Sequence, residues 1–315
     1  GYLNAMQEAA AKPQYQDIIF THATGYLSND TNFNNYFGRI YQARYLAGIA
    51  AGLKTLETGN NNIGYVAAWG VEYAETCSGI NAFAMGAQAV NPEAKVYVNK
   101  ISTWGDEAKE RQAAINLIDT YNCGVIGQHC DSAQPQIAAQ EKGVFGCGYN
   151  SDMTVQAPEA HLTAPIWNWD VYYKLAIETA MNTPSEFMSK VGIYYGGLKE
   201  GLVDISPLSD NCAEGTQEII DTVKEMMANG EWDVFTNVKL SIAQDGTITK
   251  TEGALLDNQG NEVISADGST YFVYVHDEET DTDILQAAEG GKDAQDSVIK
   301  GSMNYYVAGV EEING

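Results

Sequence analysis

This sequence predicts an α/β fold built on doubly wound parallel sheets, and three observations carry that reading. Between residues 63 and 148 short apolar strands alternate with helical stretches, and strands separated by helices form parallel sheets covered on both faces. Those strands end in polar and aromatic turns, and open α/β sheets bind ligands beyond the carboxyl ends of their strands. The 315 residues suffice for two lobes of ordinary domain size.

Residues 5–11 read as a helix and 17–22 as a short buried strand. Residues 29–35, dense in Asn and Asp, read as a polar loop. The strongest helical pattern covers 36–53, where Ile40, Ala43, Leu46, Ala47 and Ala50 mark an apolar face small enough to pack closely on a sheet. Gly59-Asn60-Asn61-Asn62 then breaks the chain. Strands follow at 63–68, 95–99, 124–127 and 144–148, with helices at 76–90, 106–119 and 133–142 between them. Residues 162–169 are extended and lead into a helix at 170–181, for which Asp170 is the expected N-cap. A strand at 191–195 and a helix at 215–229 come next. Residues 238–264 read as hairpins with turns at Asp245-Gly246 and Gln259-Gly260-Asn261, and the acidic 277–296 stretch reads as a surface loop.

Composition narrows the function. Hydrophobic residues make up 44% and charged residues 19%, the balance of a globular chain. Lys and Arg total 17 against 42 Asp and Glu, a net charge of −25; such a surface repels nucleic acid and anionic membranes. None of the five Cys forms a CxxC pair, so zinc and redox motifs lack support and buried thiols are expected. No apolar run reaches the ~18 residues of a membrane-spanning helix. No signal sequence is visible at Gly1-Tyr2-Leu3-Asn4.

Motifs for bond-breaking are missing. There is no Walker A sequence, no strand-to-helix GxGxxG and no GxSxG elbow. His129 and Asp131 lack the further ligands a metal needs. No catalytic residue, metal ligand or cofactor is therefore assigned. What stands out is a recurrence. Trp69, Trp104, Trp167 and Trp169 lie at or just beyond strand ends, and His129, Asp131, Asn150 and Asp152 sit in turns of the same kind. Aromatic faces stack on flat rings, and the polar groups supply hydrogen bonds to ring edges. These eight residues are the candidate ligand-binding set.

Several segments together carry a family resemblance: residues 36–48, 63–68 and 79–83, Val90-Asn91-Pro92, Thr103-Trp104, Gln128-His129-Cys130-Asp131-Ser132, Tyr149-Asn150-Ser151-Asp152-Met153, residues 161–169 and Ser302-Met303-Asn304-Tyr305-Tyr306-Val307. The set resembles the basic membrane protein family, substrate-binding lipoproteins of ABC transporters related to purine nucleoside receptors. The resemblance covers most of residues 1–235 and implies the type I periplasmic-binding fold, two doubly wound lobes joined by a hinge. The expected division is 1–60 plus 165–198 for the first lobe and 61–164 plus 199–235 for the second. Residues 236–315 then supply hairpins, the acidic loop and a closing segment. It implies a purine ligand held between aromatic rings, a membrane permease as partner, no nucleic acid, a monomer, and an extracytoplasmic, lipid-anchored location. In nucleoside-binding members an acidic strand-end residue and a later Lys hold the ribose; Asn150 and Trp167 stand at the matching positions, which favours a free nucleobase. Family members begin with further βα units, so the resemblance implies a first lobe lacking its leading strands in these residues, as in a stretch of a longer protein. Two other readings stay open: a nucleoside-acting hydrolase using Asp131 and Asp152 as acid and base, and a ligand-sensing regulatory domain of the same fold.

Overall fold

The computed structural model describes residues 2–313. In chain order, α1 (Leu3–Ala10), β1 (Phe20–Ala23) and β2 (Phe33–Gly38) lead into α2 (Ile40–Thr58). Strands and helices then alternate: β3 (Asn62–Ala67), α3 (Ala74–Val90), β4 (Lys95–Lys100), α4 (Glu107–Tyr121), β5 (Val125–His129), α5 (Gln134–Glu141), β6 (Phe145–Cys147) and β7 (His161–Thr163). β8 (Pro165–Trp167), α6 (Trp169–Asn182), α7 (Phe187–Lys190), β9 (Tyr194–Gly196) and β10 (Val203–Ile205) precede α8 (Thr216–Ala228). Three hairpins follow, β11 (Val238–Ile242) with β12 (Ile248–Glu252), β13 (Leu255–Leu256) with β14 (Glu262–Ile264), and β15 (Phe272–Asp277) with β16 (Thr282–Ala287). The last strand is β17 (Val310–Ile313).

By internal contacts the chain divides into two compact units, Gly1–Ile40 with Trp167–Asp204 and Tyr41–Ile166 with Ile205–Gly315; residues 1, 314 and 315 lie outside the described residues. The first unit holds a three-stranded parallel sheet in the order β1-β2-β9. The second holds a six-stranded sheet in the order β17-β4-β3-β5-β6-β7, parallel at every pairing. Its strands are short apolar runs because both faces are covered: Ile63, Tyr65, Val66, Val96, Val98, Val125 and Ile126 are all buried.

The contact boundary falls at 40/41, where the sequence division ran at residue 60, and the reason is the packing of α2. A β-carbon on Gly48 would lie 2.1 Å from the Phe83 carbonyl oxygen, and one on Gly86 would lie 2.1 Å from that of Tyr45. The two helices therefore cross backbone to backbone. Gly48 and Gly52 of α2 serve this helix crossing, while Ala47 lies against the sheet, its carbonyl accepting from Cys147 Sγ of β6 at 3.5 Å. Residues 199–204 group with the first unit, and the C-terminal hairpins with the second.

Three local expectations are corrected. The helix expected from residue 36 starts at Ile40, and Phe33–Gly38 is a strand through the supposed polar loop. Asn content hid it, but Asn34 is buried with its amide donating to the Gly192 carbonyl and to the Tyr172 hydroxyl; a buried amide with partners fits a strand interior. Asp170 does not cap α6. Asn168 holds the N-cap position, and Asp170 sits in the first turn, paired with Lys174 at 2.7 Å. The acidic loop expected at 277–296 contains strand β16, paired in full register with β15. Its charges within the hairpin lie mostly on the exposed β16 and the turn before it, while β15 is tied to the body through Tyr274, which bonds Asn304 and Asp257.

Candidate functional site

Parallel strands point one way, so the turns after β3, β4, β5 and β6 gather at one edge of the second unit. Backbone hydrogen bonds set them side by side: Ala68 N donates to His129 O at 2.9 Å, and Asp131 N donates to Trp104 O at 2.8 Å. Below the edge lies a network of buried amides and a carboxylate. Gln136 donates to Ile126 O, Cys147 O and Gln128 Oε1, while Gln128 donates to Cys130 O and Ser132 O. Glu110, fully buried in the first turn of α4, accepts from both N and Oγ of Ser132. Asp106 caps the same helix through Lys109 N. The turn carrying Asp131 is thus held by side chains of α4 and β5, and burial together with Glu110 raises the Asp131 pKa.

Along this edge runs a series of rings. Trp69 lies 5.4 Å from Tyr73, Tyr73 6.4 Å from Trp104, Trp104 6.0 Å from His129, and His129 5.0 Å from Tyr149, centroid to centroid. Trp69 and Trp104 also pack against the core. Two polar atoms of the series, Trp69 Nε1 and His129 Nδ1, are buried without a hydrogen-bond partner. A buried unpaired polar group costs ~1–3 kcal/mol.

His129 is fully buried behind this wall. Its Nε2 lies 3.0 Å from both carboxylate oxygens of Glu75 and 3.2 Å from Arg44 Nη2. We assign the proton to Nε2, donating to the carboxylate, which leaves Nδ1 as the unpartnered acceptor. Burial, then Arg44, hold the imidazole below its usual pKa, with Glu75 pulling the other way. Burial pushes Glu75 up, but the His129 ring and the Arg44 guanidinium prevail and keep it below the carboxylate range. Arg44 projects from α2, lies 3.8 Å from Glu75 Oε1 and sits under the Tyr149 ring, 5.2 Å from its centroid. Sequence reasoning missed Arg44, Glu75, Tyr73 and Tyr149. The available signal was Arg44 itself, a charge beside the apolar stripe of α2; a buried arginine needs an acid.

The remaining candidates divide. Asn150 adopts a left-handed conformation, φ 56°, and bridges to Ile166. Asp152 Oδ1 accepts from the backbone N and Oγ1 of Thr154, at 2.9 and 2.6 Å, and lies 3.5 Å from His161. Those hydrogen bonds to Thr154 lower its pKa. Trp167 and Trp169 belong to the first unit, stacked on each other at 4.4 Å and 8°. Phe37 stacks on Trp167 at 5.2 Å, and Tyr36 meets Trp169 edge-on. Among the described residues no group of three or more His, Cys, Asp or Glu is placed to hold a metal ion.

A parallel sheet whose carboxyl edge carries stacking rings is the setting of a small-molecule receptor, and comparison with known proteins agrees. The family model described as ABC transporter substrate-binding protein PnrA-like, Bmp, matches residues 3–234. The chain belongs to the Bmp family. A relative from Haloferax volcanii, named as an ABC transporter glucose-binding protein, is 34% identical over 265 residues, 84% of this Bmp chain and 64% of the relative. A purine-binding protein of Brucella abortus is 31% identical over 312 residues, 99% of this chain and 73% of the relative. This chain thus spans about two thirds to three quarters of those relatives. Among solved structures, an ABC transporter solute-binding protein from Conexibacter woesei superposes with a TM-score of 0.58 at 18% identity, covering 73% of this chain and 75% of its own. One from Aeropyrum pernix gives 0.56 at 15%, covering 76% and 74%. These likenesses speak to the fold, which is that of the type I periplasmic solute-binding proteins.

Proposed function

We propose that this Bmp protein is the extracytoplasmic receptor of an ABC importer and that it binds a purine nucleobase. The observation that supports the base is the ring series from Trp69 to Tyr149 with two buried polar atoms left unpaired. A flat heterocycle lies on such rings and offers both donors and acceptors at its edge. Trp104 supplies a stacking face, Trp69 Nε1 a donor and Asp131 an acceptor. Asn150 at the position where the resemblance puts a ribose-binding acid favours a base over its nucleoside. The protein acts by binding and release, so no residue is given a catalytic role. We place it outside the cytoplasmic membrane on a lipid anchor, delivering ligand to a permease; among the described residues no helix is long and apolar enough to cross a membrane.

The Haloferax relative's name makes a sugar the alternative to test. Isothermal titration with adenine, guanine, hypoxanthine, xanthine, their nucleosides and glucose decides. Tight binding of a base with weaker binding of its nucleoside is expected. Glucose binding without base binding overturns the purine reading and keeps the receptor.

A further inference from the structure

Glu75 opens α3 just behind the ring series, and it differs from its two partners in one respect. The side chains of Arg44 and His129 are 2% and 0% exposed, whereas that of Glu75 is 23% exposed. Glu75 is the one member of the trio whose side chain is partly exposed. His129 and Arg44 approach it from the buried side, and a carboxylate has about four lone-pair positions, so acceptor capacity remains on the open side. The guanidinium supplies the compensating charge without which a partly buried anion is costly. The ring of Tyr149 covers Arg44 and meets His129, so the anion emerges beside a stacking face.

An ionised carboxylate only accepts, and its two oxygens match a pair of parallel N–H donors. We propose that Glu75 is the specificity-determining residue of this site, reading two adjacent N–H donors on the ligand ring. This rests on the purine reading above and sharpens it. Guanine carries such an edge, a ring N–H beside an exocyclic amino group. Hypoxanthine has the ring N–H alone. Adenine sets its amino group beside an unprotonated ring nitrogen, and that nitrogen's lone pair would face the carboxylate.

Titrating the chain and its Glu75→Gln variant with guanine, hypoxanthine and adenine tests this. The native chain is expected to prefer guanine over hypoxanthine by about tenfold or more, as a lost hydrogen bond to a charged group implies. In Glu75→Gln that ratio falls to about threefold or less while hypoxanthine binding persists through stacking. An unchanged guanine preference in a variant that melts like the native chain overturns the inference and leaves the purine reading intact. Should Glu75→Gln fail to fold, the native ratio decides, and a ratio near one overturns the inference. A native chain that binds no base overturns both.

Discussion

The two units each carry a cluster of aromatic rings, and they differ in what the rings leave unfinished. In the first unit Trp167, Trp169, Phe37, Tyr36 and Tyr172 stack on one another, with Tyr36 and Tyr172 only 3.9 Å apart at 14°. The Tyr172 hydroxyl is matched to the buried amide of Asn34. In the second unit the rings run in file along a sheet edge, over a buried ion pair, with two polar atoms unpaired. Rings that satisfy one another stabilise a fold. Rings in file with unpaired polar neighbours leave faces and hydrogen bonds for something else.

The largest effect separating the two comes from the charge beneath. Arg44→Ala removes a buried side chain and strands the partly exposed Glu75 beside a neutral His129; breaking a buried pair costs up to about 3–5 kcal/mol, less where water reaches the remaining charge. Tyr172→Phe in the first unit removes a hydroxyl that both accepts from and donates to the buried Asn34 amide, a neutral pairing whose loss costs about 1–3 kcal/mol. Urea unfolding of both variants measures the contrast, and equal losses would erase it.

Ligand binding is the next test. Trp104→Ala is expected to weaken a nucleobase by ~1–3 kcal/mol, roughly 5- to 150-fold. Trp167→Ala is expected to act mainly on stability, since its ring is already covered on two sides. If Trp167→Ala abolishes binding as thoroughly as Trp104→Ala, the contrast between closed and open clusters is wrong.

Acid gives the smallest and most gradual effect. Burial holds His129 and His161 below their ordinary pKa, so the unfolded chain binds their protons more readily than the folded one. Their stability contribution is complete above the ordinary histidine value near 6.5 and is lost as pH falls from there through the depressed folded values. Glu75, also depressed, loses its contribution only at lower pH, as protonation overtakes its folded value. Melting curves from pH 7.5 to 5 check this; a flat profile would mean that folding leaves the proton affinity of the two imidazoles unchanged.

The parallel architecture was legible because strands covered on both faces read as apolar runs bounded by turns. Trp69, Trp104, His129 and Asp131 were legible as a group because a parallel sheet delivers every strand end to the same edge. The Arg44–Glu75 pair was not, because it joins α2 to α3 through a helix crossing that no local pattern encodes. Strand β2 was hidden because its amides find partners only in the folded unit. The β15–β16 ribbon was hidden because exposed charge looks the same in a loop and in a solvated hairpin.

The indole pair of the first unit has an optical consequence. Two parallel indoles at 4.4 Å couple their transitions and give a circular dichroism signal that Trp69 and Trp104, each without an indole neighbour among the close ring pairs, do not share. That signal disappears when the first unit unfolds. If the ring series takes the ligand as proposed, quenching of Trp104 emission follows its occupancy, and the chain then carries a folding reporter and a binding reporter at different sites without any added dye.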